Sequence, residues 1–534
     1  MHNKYIDLNL SEDILDNINN GLYDDVVPIK VSEIPGIDGR SIIDRSGLKS
    51  WSCSLNEACD NLRKINPELR EYLFGTIYGR VSELSGDKTL SLTIDELKSI
   101  GIQLYPYVSY GILNGGSATS YIDGKKNEAL NPELMKLYNS LFERSSKRAH
   151  GKPKGITPAF TNADGSGGPS FIELKLRALL IENLRYRLSI DRENELFKGD
   201  AGNKNGAALF PMFQMTSVYT DEQISEKLAK YKTDPVLSEL ITATGIDITD
   251  ILTGIQPMIA AFTHSKVGKP KQIFTNAWGR DGEMLPLPGG HGQNFIILSE
   301  IYKYLYTDLG KRFIYISNVD NIGNMPDPAS IALTALSGRE ASFEFAFRTP
   351  VDLKGGILVR DQKGKLNCAD IGPAISGEEV DKQEASGKNI LFNCATGLFN
   401  LEFLTENIEY ITKKLPMRIT DQNKDAGIYS QAEQVTWEIM GMLENPMILG
   451  VYKYDRFLAA KLLIESLMTS GLMLDDDNYP EHEDPSLDFK HTAEMLNEGL
   501  KMNLRDVYGM EETAAGWKAL SVDELKTKLR ESSK

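Results

Sequence analysis

Runs of apolar residues typical of β-strands alternate with amphipathic stretches typical of helices through the middle of this chain. Strands are predicted at residues 105–113, 207–216 and 312–317, and helices at residues 171–184 and 295–305. Such alternation indicates an α/β layer fold. We therefore expect a mixed, mostly parallel sheet flanked by helices, with shorter antiparallel additions at residues 342–347 and 357–359.

The pattern changes near residues 105 and 415, so three regions are predicted. Residues 1–105 and 416–534 are expected to be mainly helical, and residues 106–415 to form the α/β domain. Ser11 is predicted to cap the first helix. Capping boxes, which satisfy the first free N–H groups of a helix, are predicted at residues 93–96, 220–223 and 521–524.

Acidic residues outnumber basic ones by 75 to 59, giving this 534-residue chain a formal net charge of −16. Broad binding to nucleic acid or anionic membranes needs a basic surface, so neither partner is expected. Cys53, Cys59, Cys368 and Cys394 are too few and too scattered for a disulfide framework. Because the sequence also shows no signal peptide and no apolar run of spanning length, a cytoplasmic protein is predicted.

A glycine-rich loop follows the predicted strand at 105–113. It begins with Leu113, Asn114, Gly115 and Gly116. Glycines let a backbone approach a ligand closely and direct successive N–H groups at a pyrophosphate. The loop lacks the Gly-Lys-Ser/Thr of a P-loop, and a tight turn explains its glycines as well.

Lys154 lies between Pro153 and Gly155, where a lysine can be held more rigidly than on a free helix face. It is either a phosphate clamp or part of a surface turn. It ends a basic stretch, residues 125–154, that is either a solvated insertion or a mobile flap over an anionic ligand.

Two further loops combine small and polar residues. Gly290, His291 and Gly292 open a helical stretch, where they either pack against a flat base or form a helix-terminal turn. Asp320 follows the predicted strand at 312–317, at the kind of sheet edge where ligands bind. One carboxylate with phosphate oxygens and waters can hold Mg²⁺, although an Asx-rich turn explains the segment equally well.

Three more cations occur in short distinctive segments. Lys354 precedes a glycine pair, and Arg456 and Lys461 are five positions apart near a predicted helix start. Lys461, at a helix start, could reach back to a phosphate, and both segments in isolation also fit an ordinary turn or a solvated helix face.

In their order along the chain, these segments resemble the UTP–glucose-1-phosphate uridylyltransferase (UDP-sugar pyrophosphorylase) family. The resemblance runs from Tyr110 to Lys461. It comprises residues 113–116 (Leu-Asn-Gly-Gly), 211–217 (Pro-Met-Phe-Gln-Met-Thr-Ser), 288–292 (Pro-Gly-Gly-His-Gly), 352–356 (Asp-Leu-Lys-Gly-Gly) and 456–461 (Arg-Phe-Leu-Ala-Ala-Lys).

The resemblance implies a Rossmann-like, GT-A-like nucleotidyltransferase fold. It implies that the protein converts UTP and a sugar 1-phosphate into a UDP-sugar and pyrophosphate, with glucose 1-phosphate as the expected sugar substrate. It implies catalytic roles for Lys154, Lys461 and Asp320, with Mg²⁺ held by Asp320. The implied nucleotide contacts are Leu113, Asn114, Gly115, Gly116, Gly290, His291 and Gly292, and the implied sugar and phosphate contacts are Asn318, Asn321, Lys354, Asn393 and Arg456.

The chain departs from the family pattern at four places. The uracil-reading residue is implied to be His264, with Gln256 as the alternative. Ser117 and Ala118 replace Leu-Gly, which keeps a catalytically silent nucleotide-sugar-binding homologue open as an alternative. Residues 392–396 are altered, so galactose 1-phosphate and N-acetylglucosamine 1-phosphate stay open as substrates. The glycine loop and Lys154 are also further apart than the resemblance implies.

Overall fold

The computed structural model describes residues 5–24, 28–67, 69, 81–84, 87–119, 121–193, 209–349, 352, 354–484, 488–514 and 516–531. Its helices, in chain order α1 to α18, are Leu8–Asn19, Leu55–Ile65, Ile94–Gln103, Gly124–Leu130, Pro132–Leu137, Asn139–Ala149, Phe171–Glu193, Asp221–Tyr231, Ser238–Thr244, Asn294–Ile297, Ser299–Thr307, Pro328–Ser337, Gly377–Ala385, Leu401–Lys414, Lys453–Arg456, Leu463–Thr469, Phe489–Asp506 and Val522–Glu531. Short 3₁₀ turns occur at Tyr105–Tyr107, Lys154–Ile156, Ser265–Val267, Ala277–Gly279, His291–Gln293 and Thr436–Met442.

The strands, β1 to β21, are Val31–Glu33, Ile42–Asp44, Ser50–Ser54, Val81–Leu84, Asp87–Thr93, Val108–Leu113, Met212–Ser217, Leu252–Gln256, Met258–Ala260, Phe262–Thr263, Pro286–Pro288, Phe313–Asn318, Ala341–Phe347, Gly356–Asp361, Leu366–Asp370, Leu391–Asn400, Met417–Lys424, Gly427–Gln434, Met447–Val451, Met510–Thr513 and Gly516–Ala519. Eleven of them form a central sheet, in which β2, β19, β13, β16, β12, β6, β7 and β8 follow one another. β14 pairs with β16, β15 and β1 at one side.

Four neighbouring strands of the central sheet run in the same direction. β12, β6, β7 and β8 pair in parallel, so their carboxyl ends meet at one edge. β16 runs against its neighbours β12 and β13, while β13, β19 and β2 pair in parallel again. The prediction of an α/β protein with a mostly parallel central sheet is confirmed.

Apolar side chains of alternate strand positions supply cores on both faces of this sheet. In β12, Phe313 and Tyr315 join one core, and Ile314 and Ile316 join the other. The first core also holds α12, whose residues from Ala329 to Leu336 are all buried, together with parts of α2, α3 and α7. α11 and α14 cover the opposite face. Burial on both faces explains why the strands read as continuous apolar runs.

The two terminal regions, predicted to be mainly helical, hold strands beside their helices. The described part of residues 1–105 includes five strands, and that of residues 416–534 also includes five. β2 and β19 from these regions pair with each other inside the central sheet. The division at residues 105 and 415 stays a prediction, but the sheet crosses both boundaries.

The capping predictions have mixed outcomes. The boxes at residues 93–96 and 521–524 form as predicted. The first helix begins earlier than predicted, because the carboxylate of Asp7, not Ser11, accepts from the N–H of Leu10. Thr220 precedes α8 without capping it, since its hydroxyl bonds to Ser217 instead. Part of the strand predicted at 207–216 lies outside the described residues.

The basic insertion folds into the short helices α4, α5 and α6. Their apolar side chains, including Leu134, Tyr138 and Phe142, pack against Ile464 and Leu467 of α16. The insertion is therefore packed onto the protein along one side. All four cysteines are free thiols. Among the described residues, none of the helices combines the length and the apolar character required to cross a bilayer.

Candidate active site

A cleft of about 660 Å³ opens at the carboxyl edge of the parallel strands. The ends of β6, β7, β8 and β12 all reach it, which is where ligands bind in open α/β sheets. Its walls are formed by Leu113, Gly115, Gly116, Ser117, Lys154, Met215, Ser217, Tyr219, Thr220, Gln256, Met258, Pro286, Pro288, Gly290, His291, Asn318, Val319, Asp320 and Glu433.

The glycine loop and the segment containing Lys154 form one unit despite their separation in sequence. The N–H of Lys154 donates to the carbonyl of Gly116 at 3.0 Å, and the N–H of Ala118 donates to the carbonyl of Lys152 at 3.0 Å. The intervening helices are therefore an insertion closed at its base by these bonds. The long spacing noted in the sequence does not remove Lys154 from the loop.

Lys154 and Asp320 form an ion pair on the wall of the cleft. The Lys154 Nζ lies 2.5 Å from Asp320 Oδ2, and both side chains are largely buried, with 13% and 16% exposed. Lys154 also donates to the carbonyl of Ala460 and lies over the ring of Tyr121. A cation and an anion are thus held at the place where the strand β12 ends.

Two carboxylates line the cleft, those of Asp320 and Glu433, and only that of Asp320 lies just after the end of β12 and beside Lys154. No group of three or more acidic, His or Cys side chains with metal-ligating geometry occurs among the described residues. This donor set fits Mg²⁺ only when phosphate oxygens of a bound ligand and water complete the coordination, which is how proteins usually hold that ion.

The glycines beside His291 allow close packing against β18. Gly290 has φ of +84°, and a Cβ there would lie 2.3 Å from the carbonyl oxygen of Gln434. A Cβ on Gly292 would also come within 2.7 Å of Gln434. Both positions need glycine, so the loop is shaped to bring His291 to the cleft.

His291 is held in one tautomer by Thr436. The backbone N–H of Thr436 donates to His291 Nδ1 at 3.2 Å, so Nδ1 carries no proton and Nε2 does. Burial, together with the nearby Arg418, lowers the pKa of His291 to about 4. The imidazole is therefore a neutral hydrogen-bond donor at neutral pH.

Of the two candidates for reading a base, Gln256 lies in the cleft and His264 does not. Gln256 is at the end of β8 and its side-chain nitrogen donates to the carbonyl of Gly290 at 2.9 Å. His264 lies outside the cleft lining, where Nδ1 accepts from the N–H of Lys266 and Nε2 faces Asp421 at 3.7 Å. The expectation that His264 lies at the site is therefore corrected, and of the two candidates it is Gln256 that lines the cleft.

A second cavity, of about 170 Å³, contains the other predicted lysines. Lys354 and Lys461 both line it, and within the described part of the chain their ammonium groups make no hydrogen bond or ion pair. Lys461 is placed here rather than in the main cleft, but it directly follows Ala460, whose carbonyl accepts from Lys154. The chain segment that lines the second cavity is thus hydrogen-bonded to Lys154, whose side chain lines the cleft.

Lys453 and Glu465 also line the second cavity and were not identified from the sequence. Lys453 is buried, pairs with Asp352 and lies 5.2 Å from the ring centre of Phe457. Burial raises the pKa of Glu465, while Lys461 and Lys154 favour its charged form. The second cavity therefore holds more positive than negative groups.

Five predicted contact residues besides His264 line neither cavity, namely Asn114, Gly292, Asn321, Asn393 and Arg456. Asn114 is fully buried and donates to Gln214 at 3.0 Å. Asn321 is also buried, and its amide joins the carbonyl of Arg456 to the N–H of Leu458. These side chains shape the loops and do not face a ligand.

Arg456 and Asn393 complete this group of corrections. Arg456 is paired with Glu344 at 2.6 Å, and the carboxylates of Glu344 and Asp327 keep the pKa of Arg456 well above its usual range, against the opposing effect of burial. Asn393 accepts from the N–H of Ala395 at 2.9 Å and lines neither cavity. An Arg or Asn in a short motif carries no signal that separates a ligand contact from such an internal bond.

Lys175 supports the cleft from beneath and was also missed. It lies on α7, has no exposed surface, and donates to the carbonyls of Asn321 and Asn324. Burial lowers its pKa to about 7. Its position within a helix gives it no recognisable sequence signal.

The fold and the cleft define an α/β protein with a ligand site at the carboxyl edge of a mostly parallel sheet. The chain belongs to the UTP–glucose-1-phosphate uridylyltransferase family, whose sequence model matches residues 198–492.

Two curated relatives show the level of sequence similarity. The chain is 24% identical over 266 residues to a probable UTP–glucose-1-phosphate uridylyltransferase of Schizosaccharomyces pombe, a match covering 49% of this chain and 44% of that protein. It is 21% identical over 340 residues to the UTP–glucose-1-phosphate uridylyltransferase of Pyrus pyrifolia, covering 64% of each. The chain therefore spans less than two-thirds of the length of these curated relatives.

A solved structure supports the fold. The uridine diphosphate N-acetylglucosamine pyrophosphorylase from Trypanosoma brucei, in complex with an inhibitor, superposes with a TM-score of 0.50. The match covers 84% of this chain and 87% of that one at 15% sequence identity. At this identity the likeness shows the fold alone.

Proposed function

We propose that this protein transfers a uridylyl group from UTP to a sugar 1-phosphate, giving a UDP-sugar and pyrophosphate, with glucose 1-phosphate as the sugar substrate. The observation that carries the proposal is the convergence of the glycine loop, Lys154, Asp320 and Gln256 on one cleft. Membership of the family supports it. The carboxyl-edge cleft also supports a Rossmann-like, GT-A-like nucleotidyltransferase fold, and the free thiols support a reducing, cytoplasmic location.

The chemistry needs alignment and charge stabilisation. A phosphate oxygen of the sugar 1-phosphate attacks the α-phosphorus of UTP in line, and the bond to pyrophosphate breaks. Each pair of charges at about 4 Å repels by roughly 1–4 kcal/mol, depending on the local dielectric. Lys154 on the cleft wall and Lys461 in the second cavity would reduce that repulsion from two sides.

Mg²⁺ is the proposed cofactor, held by Asp320 and by phosphate oxygens. When bound, it would neutralise charge on the phosphates of UTP. With Mg²⁺ on Asp320, Lys154 would contact a phosphate in place of that carboxylate while keeping its hydrogen bond to the carbonyl of Ala460. Gly115 and Gly116 bring backbone close to the triphosphate, and Asn318 lies beside Asp320 on the cleft wall.

The second cavity is the proposed place for the sugar phosphate. Lys354 and Lys461, whose ammonium groups make no hydrogen bond or ion pair with any other described residue, suit an anionic group, and Phe392 and Phe457 supply apolar walls for a sugar ring. Galactose 1-phosphate and N-acetylglucosamine 1-phosphate are the competing substrates of the same chemistry.

Pyrophosphate release from UTP tests the proposal, measured with glucose, galactose and N-acetylglucosamine 1-phosphates, with and without Mg²⁺. We expect release with glucose 1-phosphate that depends on Mg²⁺. A higher kcat/KM with one of the other sugar 1-phosphates would identify that compound, and not glucose 1-phosphate, as the sugar substrate. UDP-sugar binding by calorimetry with no pyrophosphate release would identify a catalytically silent homologue and overturn the proposal.

Substitution of the charged residues gives a second test. Asp320→Ala and Lys461→Ala are each expected to lower kcat by at least about a hundredfold, since each removes a charge that acts on the phosphates. Asp281→Ala and Lys413→Ala, at exposed positions outside both cavities, are the matched controls. Near-normal turnover in a folded Asp320 or Lys461 variant would remove that residue from the mechanism.

A further inference from the structure

We propose that Gln293 is a positioning residue that, together with the carbonyl of Gly290, fixes the side-chain amide of Gln256 and so sets the base preference of the cleft. The amide would then present only a hydrogen-bond acceptor, which suits a base with a ring N–H such as uracil and disfavours cytosine. The inference rests on the proposed function, because it concerns the nucleotide that the same cleft takes.

The orientation of the Gln256 amide follows from its partners. A backbone carbonyl can only accept, so the Gln256 atom 2.9 Å from the Gly290 oxygen must be Nε2. The same nitrogen lies 2.7 Å from a side-chain atom of Gln293, which must then be the acceptor Oε1. Both hydrogens of Gln256 Nε2 are therefore used inside the protein.

The remaining polar atom of Gln256 is its Oε1. It lies towards the glycine loop, since a Cβ built on Gly115 would be 3.5 Å from it, and Gln256 and Gly115 both line the cleft. Uracil carries a hydrogen on N3 that can be donated to such an oxygen. Cytosine has a lone pair at N3, which at the same position would face the oxygen with no hydrogen between them, and it would have to shift to offer its 4-amino donor instead.

The surroundings of Gln293 are built around this contact. Its side chain has no exposed surface, and Gly289 leaves room for the amide, because a Cβ there would lie 2.2 Å from Gln293 Nε2. Gln293 Nε2 is buried and has no hydrogen-bond partner. A buried donor without a partner is unfavourable, so stability alone does not explain why this residue is a glutamine. Its oxygen, in contrast, accepts a hydrogen bond from Gln256 Nε2 and so holds that amide in one orientation.

The experiment uses the full chain and three substitutions. Gln293→Met removes the acceptor at similar size, Gln293→Glu keeps one, and Gln256→Met removes the reading group itself. Dissociation constants for UTP and CTP are measured by calorimetry, and kcat and KM for UTP by pyrophosphate release. Circular dichroism establishes folding, and Gln293→Leu replaces the Met variant where that one does not fold.

We expect the wild-type protein to prefer UTP over CTP, and Gln293→Met to reduce this preference about tenfold by weakening UTP binding alone. The KM for UTP should rise while kcat changes little, because the base is remote from the reacting phosphorus. Gln293→Glu should restore the preference.

An unchanged UTP/CTP ratio in folded Gln293→Met, with the ratio lost in Gln256→Met, overturns the inference and leaves the proposed function standing. Equal weakening of UTP and CTP with a lower kcat also overturns it, since that is the result of a purely structural role. If the wild-type protein binds neither nucleotide, the proposed function itself fails.

Discussion

His291 reaches the cleft as a neutral imidazole because its surroundings disfavour the charged form. The ring is enclosed, Arg418 is the nearby cation, and Nδ1 accepts from the backbone of Thr436. Thr436 is itself held by the amide of Asn294, which donates to its hydroxyl at 2.9 Å. The tautomer of His291 is thus fixed by hydrogen bonds, and the proton on Nε2 is available to a ligand.

The depressed pKa predicts a pH dependence with a defined sign. Its pKa is about 4 in the folded protein and 6.5 ordinarily, so the unfolded chain binds the extra proton first as pH falls. The contribution of the neutral His291 to the free energy of unfolding is fully present above about pH 6.5 and is lost as the pH falls towards 4. The stability advantage of the wild type over His291→Asn should be about 2 kcal/mol smaller at pH 5 than at pH 7.5.

Urea unfolding of both proteins at the two pH values measures this difference, in which the titrations of all other groups largely cancel. NMR of the imidazole signal that disappears in His291→Asn gives the pKa directly. A midpoint near 6.5, or an advantage that is the same at both pH values, would contradict the assignment.

At the scale of elements, α7 fixes the loop that follows β12. Lys175 Nζ donates to the carbonyl of Asn321 at 2.5 Å and also to that of Asn324, and Asp320 belongs to the same loop. An ammonium group buried in this way is unfavourable unless it meets such acceptors. The helix thereby holds the carboxylate of Asp320 at the edge of the cleft.

Lys175→Met should displace this loop and lower kcat by at least about tenfold, since two carbonyls lose their donor. The pH dependence of stability should also change. The pKa of Lys175 is about 7 in the fold and 10.5 ordinarily, so the unfolded chain binds more protons between these values. The stability of the wild type relative to the variant should therefore rise with pH, by about 1 kcal/mol per unit between pH 7 and 10.

Urea unfolding at several pH values checks this slope, and Lys413→Met, at an exposed position on α14, is the control expected to show none. If the difference in free energy of unfolding between the wild type and Lys175→Met does not change with pH, Lys175 has an ordinary pKa in the folded protein.

The elements that the sequence predicts well are those with long apolar runs. β6, β7 and β12 are buried on both faces, and their patterns place the glycine loop and Asp320 correctly at strand ends. β2 has only three residues, which are too few to show a strand pattern in the sequence. Its position at the side of β19 follows from pairing between distant parts of the chain. Asn114 and Arg456 look like ligand contacts because polar residues of a motif can also bond internally, and only the structure separates the two cases.

At the scale of the whole molecule, both terminal regions are joined to the central sheet. β2 from the first region pairs with β19 from the last, and Arg45 forms an ion pair with Asp327 at the start of α12 at 2.9 Å. The amide of Asn61 on α2 also donates to the carbonyl of Leu336. Contacts of this kind connect residues 1–105 to the core at several points, in contrast to a region linked only by a flexible segment.

These contacts predict that residues 1–105 unfold together with the sheet. The chain has four tryptophans. Trp51 lies in β3 of the first region, and Trp437 lies beneath the cleft, beside His291. Two variants, each retaining one of these tryptophans with the others replaced by Phe, report on the two places separately. Their fluorescence transitions in urea should have the same midpoint and should coincide with loss of far-UV circular dichroism.

An earlier transition at Trp51 would show that the first region is a separate unit and that the β2–β19 pairing adds little stability. Coincident transitions would instead mean that the pairing of β2 with β19, strands from the two terminal regions, makes the sheet a single cooperative structure. In that case a substitution that weakens β2, such as Ile43→Ala at a buried position, should lower the midpoint at both tryptophans equally. Removing a buried isoleucine side chain to alanine costs about 2–5 kcal/mol. Its effect at Trp437 would measure how strongly the cleft depends on the first region.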